Sequence, residues 1–268
     1  PPPALAPQPG APLAGVRVLD LTRVLAGPVC TRFLAALGAQ VLRIDPPGWD
    51  EPGVVPEVTV GKACARLDLR APADRSVFAR LASQADVIVH GYRNGALEGL
   101  GYDTAALLKL SPGIVEVTVS AYGHTGPWAG RRGFDSLVQM STGLCHTGMT
   151  ARGADAPVAL PVQALDHATG YLMAAAALAG LARRIADGQT LTARLSLAQV
   201  AELLKSLPRA EGADFGETRL PQTLAPGAED TAWGPARRLA FPLRLDGRAP
   251  GFRRPAEPLG ASVAEWDG

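Results

Sequence analysis

An excess of either charge is missing from this chain: 26 Lys and Arg stand against 25 Asp and Glu over 268 residues. That balance excludes a polyelectrolyte surface for nucleic acid or for an anionic membrane. Any anionic ligand must be met by a local group of basic side chains. Cysteine is scarce. Cys30, Cys64 and Cys145 are scattered, odd in number and free of C-x-x-C spacing, which argues against a disulfide framework or a zinc site and for a reducing, cytoplasmic setting. The longest apolar run, Leu172 to Leu181, is rich in Ala and closed by Arg183-Arg184, too short to cross a bilayer. The histidines (His90, His124, His146, His167) show neither H-E-x-x-H nor other paired ligand spacing, so metal catalysis has no support in the sequence. The first strand-to-helix turn, "DLTRVLAGP", lacks G-x-G-x-x-G, and no P-loop or G-x-S-x-G occurs anywhere. Without those glycines the backbone cannot approach a dinucleotide pyrophosphate closely, and no tightly bound cofactor is expected.

What is present is globular in character, with 47% apolar and 19% charged residues. "GVRVLDLT" (15–22) reads as a strand and "GPVCTRFLAALGA" as a helix, with Pro28 in its first turn and Gly38 at its C-terminal end. "QVLRID" (40–45) reads as the next strand. Strand, helix and strand within about thirty residues form the βαβ pattern of a parallel sheet. The pattern repeats through the helical "DRSVFARLASQ", the strand "ADVIVHG", the short helix "TAALLKLSPG" and the strand "IVEVTVSAYG". Near-continuous Val/Ile runs suit strands buried on both faces. The expected fold is therefore α/β: a Rossmann-like, doubly wound, mostly parallel sheet.

After Gly143 the sequence predicts a loop, then a long helix in "PVQALDHATGYLMAAAALAGLARR" (161–184), then one strand and one helix in "TLTARLSLAQVAELLKSL". Three segments are expected: a Pro-rich linker over 1–12, the Rossmann-like domain over 13–207, and an extended Pro/Gly-rich tail over 208–268 with little core of its own. The proline-rich start predicts a further domain or a cleaved segment upstream.

Asp166 stands directly before the long apolar helix. A helix starting at His167 sets its positive end beside that carboxylate, holds it ionised near neutral pH and offers backbone N–H groups to an oxyanion. The competing reading is a simple N-cap, whose loss costs about 1 kcal/mol. The two are compatible, because a capping carboxylate is still a carboxylate.

Five phrases occur in order: "LAGVRVLDLTRVLAGPVCTRFLAALGAQVLRID", "GKACARLDLR", "ADVIVHGYRNGALEGLGYD", "VSAYGHTGPWAGRRGFDSLVQMSTGL" and "LPVQALDHATGYLMAAAALAGLARR". Together they resemble the class III CoA-transferases, the family that also holds the α-methylacyl-CoA racemases. The resemblance runs over 13–205 and returns at "RPAEPLGASVAEW". It implies an interlocked homodimer and an acyl-CoA that passes its CoA to a carboxylic acid acceptor. Asp166 matches the nucleophile, which forms a mixed anhydride and then an aspartyl-CoA thioester. Lys62, Tyr92 and Arg93 match positions that meet the CoA nucleotide, and Arg132 a basic position near the pantetheine. Leu25 and Ala26, within "VLAGP", match the segment at the thioester; Leu25 stands where some members carry Gln. The racemase branch carries a catalytic His in a Gly-His-Asp phrase, and here that phrase is Gly133-Phe134-Asp135. His124 and His146 are minor candidates for substrate contacts. Family members also carry a second, smaller domain with a glycine-rich loop before the C-terminal phrase, where this chain has a few dozen Pro/Gly-rich residues. Three functions follow: a CoA-transferase, a non-catalytic CoA- or acyl-CoA-binding subunit, and, third, an acyl-CoA racemase.

Overall fold

The computed structural model describes residues 7–208 and 224–267. The start of the predicted linker and the stretch 209–223 of the predicted tail lie outside them. Strands β1 (Arg17–Leu21), β2 (Gln40–Asp45), β3 (Lys62–Arg66), β4 (Val87–His90), β5 (Val115–Ser120) and β6 (Thr192–Ser196) form one sheet in the order β3-β2-β1-β4-β5-β6. All five neighbouring pairs are parallel. The chain builds outward from β1 to β3, then returns to lay β4 on the other side of β1. The switch of direction therefore lies between β1 and β4, the doubly wound arrangement expected from the βαβ repeats.

Alternation along each strand divides the apolar residues between two faces. Val18, Val41, Val89 and Val117 meet α1 (Ala26–Ala36) and α7 (Ala164–Asp187) on one face, with Leu34, Met173 and Ala177 filling the space between. Leu19, Leu42 and Ile88 point to the other face, against Phe78 and Leu81 of α3 (Pro72–Ser83) and Leu107 of α4 (Thr104–Leu110). The described residues also form the α-helices α2 (Val55–Val58), α5 (Asp135–Ser141), α6 (Leu144–Arg152) and α8 (Leu197–Ser206).

Two local expectations are corrected. The stretch after Gly143 is the helix α6, not a loop, bracketed by Gly143 at φ 81° and Gly153 at φ 58°. Its buried residues, Leu144 and Cys145, both lie at its start, so it carries no helical period to read. The long helix α7 begins at Ala164, not His167, with Gln163 as its N-cap residue. Asp166 thus sits in the first turn and is not the cap.

The C-terminal segment holds a small antiparallel hairpin, β7 (Glu229–Thr231) with β8 (Gly234–Ala236), and otherwise runs irregularly over the sheet edge. Along β3 it supplies the partners an edge strand would lack. Gly61 N–H, just before β3, donates to Arg254 C=O at 3.1 Å, and Cys64 C=O accepts from Ser262 N–H at 2.9 Å. The Cys64 N–H donates to the Glu257 carboxylate at 2.6 Å. Trp266 reaches Leu81 C=O through its indole N–H at 3.3 Å.

Under the start of α1 lies a buried ionic hub. Lys62 Nζ donates to Asp20 Oδ2 at 2.8 Å, to Thr31 Oγ1 at 2.7 Å and to Pro28 C=O at 3.1 Å. Neither side chain of the pair is exposed (0% each). Burial alone pushes Asp20 up, but the charges of Lys62 and Arg43 outweigh it and hold the carboxyl below its ordinary range. Breaking such a pair on one side leaves an uncompensated buried charge, which costs about 3–5 kcal/mol. Lys62→Met is expected to lower the unfolding free energy by that amount, seen as a lower urea midpoint. A midpoint within error of the unmutated protein would refute the hub's structural role.

Candidate active site

Ligands bind outside the carboxyl ends of parallel strands, at the switch point of a doubly wound sheet. A cavity of about 620 Å³ opens there, lined from β1 and its loop by Leu21 to Gly27, from the β4 loop by Gly91 to Asn94, and from the β5 loop by Val119 to Ala121 and Ala129 to Phe134. Asp166 and Leu197 close its inner wall, and Trp49 one side. Among the described lining residues Asp166 is the sole carboxylate, and the cations are Arg23, Arg93, Arg131 and Arg132.

The fold therefore gathers Leu25, Ala26, Tyr92, Arg93, Arg132 and Asp166 around one space. Lys62 is the exception: it is fully buried in the hub beneath α1 and its ammonium is surrounded by Asp20, Thr31 and Pro28. Lys62 is thus not in the cavity wall, and this geometry lends the expectation that it meets a nucleotide no support. His167 and His146 are not in the cavity wall either; His146 is exposed on α6. His124 lies away from the wall, with Nε2 3.3 Å from Thr118 Oγ1.

The cavity's entrance loop is held under strain. Val24 adopts φ 64°, which a β-branched residue takes up only when its surroundings enforce it. Its N–H donates to Glu51 Oε2 at 2.9 Å; Glu51 is in turn gripped by Arg43 at 2.5 Å, and Arg43 by Asp45 at 2.8 Å. This chain of charges sets Leu25 and Ala26, the opening of α1, against the cavity. The N–H groups of Leu25, Ala26 and Gly27 take no hydrogen bond among the described residues.

Several wall residues carry no motif of their own. Arg23 lies 4.7 Å above the Trp49 ring and 5.6 Å from that of Tyr92, so its guanidinium is held in place by two aromatic faces. Its only sequence signal was adjacency to "VLAGP". Tyr92 is driven upward in pKa by burial, against the pull of Arg23. Phe134 is 65% exposed at the mouth. Thiol chemistry is disfavoured: burial pushes Cys30 upward and Cys64 up to about 12, and raises Cys145 as well. Among the described residues, no group of three or more His, Cys, Asp and Glu is placed to hold a metal ion.

Asp166 is 6% exposed. Burial, and after it the negative charge of Asp135, raise its pKa from 3.8 to about 7. This runs against the expectation that the helix start holds the carboxyl ionised near neutral pH: the amides of Leu165 and Asp166 donate to Asp135 Oδ2 at 2.8 and 3.0 Å, and that of His167 to Gln163 C=O. These α7 amides are therefore not free for an oxyanion, whereas those opening α1 are.

A family model described as CoA-transferase family III matches residues 13–256. The chain belongs to that family. Among its relatives is the succinyl-CoA:glutarate CoA-transferase of Mus musculus, 35% identical over 193 residues, which are 67% of this chain and 44% of that one. A probable fatty acyl-CoA transferase of Mycobacterium tuberculosis, Rv3272, is 34% identical over 72% of this chain and 52% of its own length. The crystal structure of the orthorhombic form of Rv3272 superposes with a TM-score of 0.68 at 32% identity, covering 74% of this chain and 58% of that one. The chain thus spans about half the length of the family III relatives it matches.

A raised carboxyl contributes stability that is complete below its unfolded pKa and lost as pH rises through the folded value. For Asp166 the loss runs from about pH 4 to about 7. Asp166→Asn, which cannot ionise, is expected to raise the melting temperature relative to the unmutated chain at pH 8, with the gap closing as pH falls toward 4. A gap independent of pH would refute the shift.

Proposed function

We propose that this chain carries the reacting carboxylate of a CoA-transferase, moving CoA between carboxylic acids through covalent intermediates on Asp166. One observation carries the reading: a lone buried carboxylate shares its cavity with four arginines and the free amides of a helix start. An acyl-CoA is polyanionic at one end and electrophilic at the other, and the cavity offers cations at its mouth and a nucleophile at its wall. The names of the relatives, CoA-transferases acting on glutarate and fatty acyl groups, support the same class.

In this scheme an Asp166 carboxylate oxygen attacks the thioester carbonyl, and the opening amides of α1 receive the developing oxyanion. The C–S bond breaks, leaving a mixed anhydride and CoA thiolate. The thiolate attacks the Asp166 acyl carbon, releasing the donor acid and forming an aspartyl-CoA thioester. The acceptor carboxylate then repeats the two steps in reverse, and Asp166 is regenerated. Covalent catalysis of this kind divides one difficult exchange into easier ones. Arg23, Arg93 and Arg132, with Tyr92, hold the nucleotide and pantetheine, and Leu25 and Ala26 frame the thioester. The residues 13–207 make the Rossmann-like domain, with the C-terminal segment as an edge-covering tail.

Large apolar side chains exposed on α5 (Leu137, Met140) and α7 (Tyr171, Leu172, Ile185) support a partner surface, which we assign to a homodimer. Three free thiols suit a reducing, cytoplasmic compartment. A second reading is a CoA-binding subunit without activity, since the arginine-lined cavity would serve CoA whether or not Asp166 reacts. Racemisation is disfavoured by Phe134, since an aromatic hydrocarbon at the mouth cannot move a proton.

Incubation with an acyl-CoA followed by hydroxylamine is expected to place one hydroxamate on Asp166, found by peptide mass spectrometry. Yield should rise with pH through about 7, because the carboxylate is the attacking form. Asp166→Asn should give none. CoA binding without any adduct would overturn the transferase reading and leave the binding subunit. Replacing Arg23 with Ala is expected to weaken CoA binding by about tenfold and to reduce its salt dependence; unchanged titration curves would remove Arg23 from the ligand's path.

A further inference from the structure

The start of α7 is built from outside the helix. Its N-cap residue, Gln163, is left-handed at φ 35° and contributes no side-chain cap, and Val162 before it is also left-handed at φ 54°. Two consecutive non-glycine residues in that region persist only where neighbours hold them. The holding group is Asp135, on α5. Its Oδ2 accepts from Leu165 N–H at 2.8 Å and from Asp166 N–H at 3.0 Å. Its Oδ1 accepts from Gln139 Nε2 at 2.5 Å, one helical turn further along α5. Gln139 in turn accepts the Leu160 N–H on Oε1 at 2.7 Å. Both ends of the 160–166 connection are therefore tied to α5 by two side chains that are 2% and 1% exposed. A carboxylate at this place has a second consequence. The amides it occupies are the ones a carboxylate in the first turn of a helix would otherwise draw on.

We propose that Asp135 is a positioning residue for Asp166. By occupying the opening amides of α7 it fixes the backbone of the reacting residue and leaves the Asp166 carboxylate poorly solvated at the cavity wall. The inference rests on reading Asp166 as the nucleophile. A carboxylate deprived of hydrogen bonds is more basic and a stronger nucleophile once ionised. The direction of the Asp166 shift agrees, with burial as its first cause and Asp135 as its second. Other charged groups surround the pair. His167 follows Asp166 on α7 and is itself lowered by burial and by Arg32 of α1. The cavity loops bring Arg23, Arg93, Arg131 and Arg132, while α8 presents the uncharged Leu197. Asp135 is the like charge among them, so its removal is the substitution that lowers the basicity of Asp166.

The test is the pH profile of Asp166 labelling by acyl-CoA and hydroxylamine in the full chain. In Asp135→Asn, an amide oxygen still accepts from the α7 amides but the charge is gone. The acid limb is expected to move down by about one pH unit, and the plateau rate to fall about threefold, because the less basic carboxylate is the weaker nucleophile. Asp135→Glu, which keeps the charge, should retain the limb near its original midpoint with a lowered plateau. A folded Asp135→Asn whose limb does not move overturns the proposal, since a group that only caps the helix leaves the pH profile in place. Should Asp135→Asn not fold, carboxyl-carbon NMR of the unmutated protein decides, with the Asp166 signal assigned by its loss in Asp166→Asn. A midpoint near 7 that also moves the Asp135 carboxyl signal supports the proposal; an ordinary carboxylate midpoint, or an Asp135 signal that does not respond, overturns it. Absence of any adduct on the unmutated chain defeats the transferase reading instead, while the NMR midpoint still reports on Asp135.

Discussion

The architecture turns on how closely α1 approaches α7. The two helices lie on the same face of the sheet although they are separated by most of the domain in sequence. At Gly170, a Cβ would stand 2.6 Å from Ala26 C=O and 2.7 Å from the Val29 side chain. Only a residue without a side chain allows that contact. Because Gly170 is one turn beyond Asp166, the packing carries Asp166 up against the opening of α1. The site is thus the meeting of two helix starts over the switch point of the sheet. Any larger residue at 170 meets the Ala26 carbonyl and the Val29 side chain and forces the two helices apart.

Charge is distributed in two layers around that contact. Beneath α1 the ionic hub of Asp20 and Lys62 is closed off from solvent and serves the fold. Beside it Arg43 links Asp45 to Glu51, and Glu51 holds the strained Val24 in the cavity wall. Above them the cavity shows cations to the solvent and one carboxylate inside. A nearly neutral chain can present cations in this way, by concentrating arginines around one cavity while pairing other charges elsewhere. Asp135 belongs to neither layer. It is a buried anion satisfied by N–H donors, set where its charge opposes ionisation of Asp166.

Much of the fold was readable because its strands carry β-rich apolar runs. "GVRVLD", "QVLRID", "ADVIVH" and "IVEVTVS" each declare a strand buried on both faces, and their alternation with helices implies a parallel sheet. The strand Lys62–Arg66 was not readable, since Ala63, Cys64 and Ala65 lack β-branched or aromatic character. Helix α6 was missed for want of an apolar period. The burial of Lys62 was not legible, because a lysine in a short phrase gives no sign of whether it faces solvent or a buried aspartate 42 positions away. Arg23 and Asp135 were not chosen at all: their importance lies in Trp49, Tyr92 and the α7 amides, none of which is adjacent in sequence.

The sequence by itself determined the class of fold, the family and the candidate carboxylate, because apolar period and ordered motifs are local properties of the chain. Tertiary structure alone decided that Asp166 is buried, that the Leu165 and Asp166 amides are taken by Asp135, and that Lys62 pairs with Asp20 beneath α1. Each depends on which distant groups share a hydrogen bond or a charge across a few ångströms. Spacing along a chain does not encode that proximity.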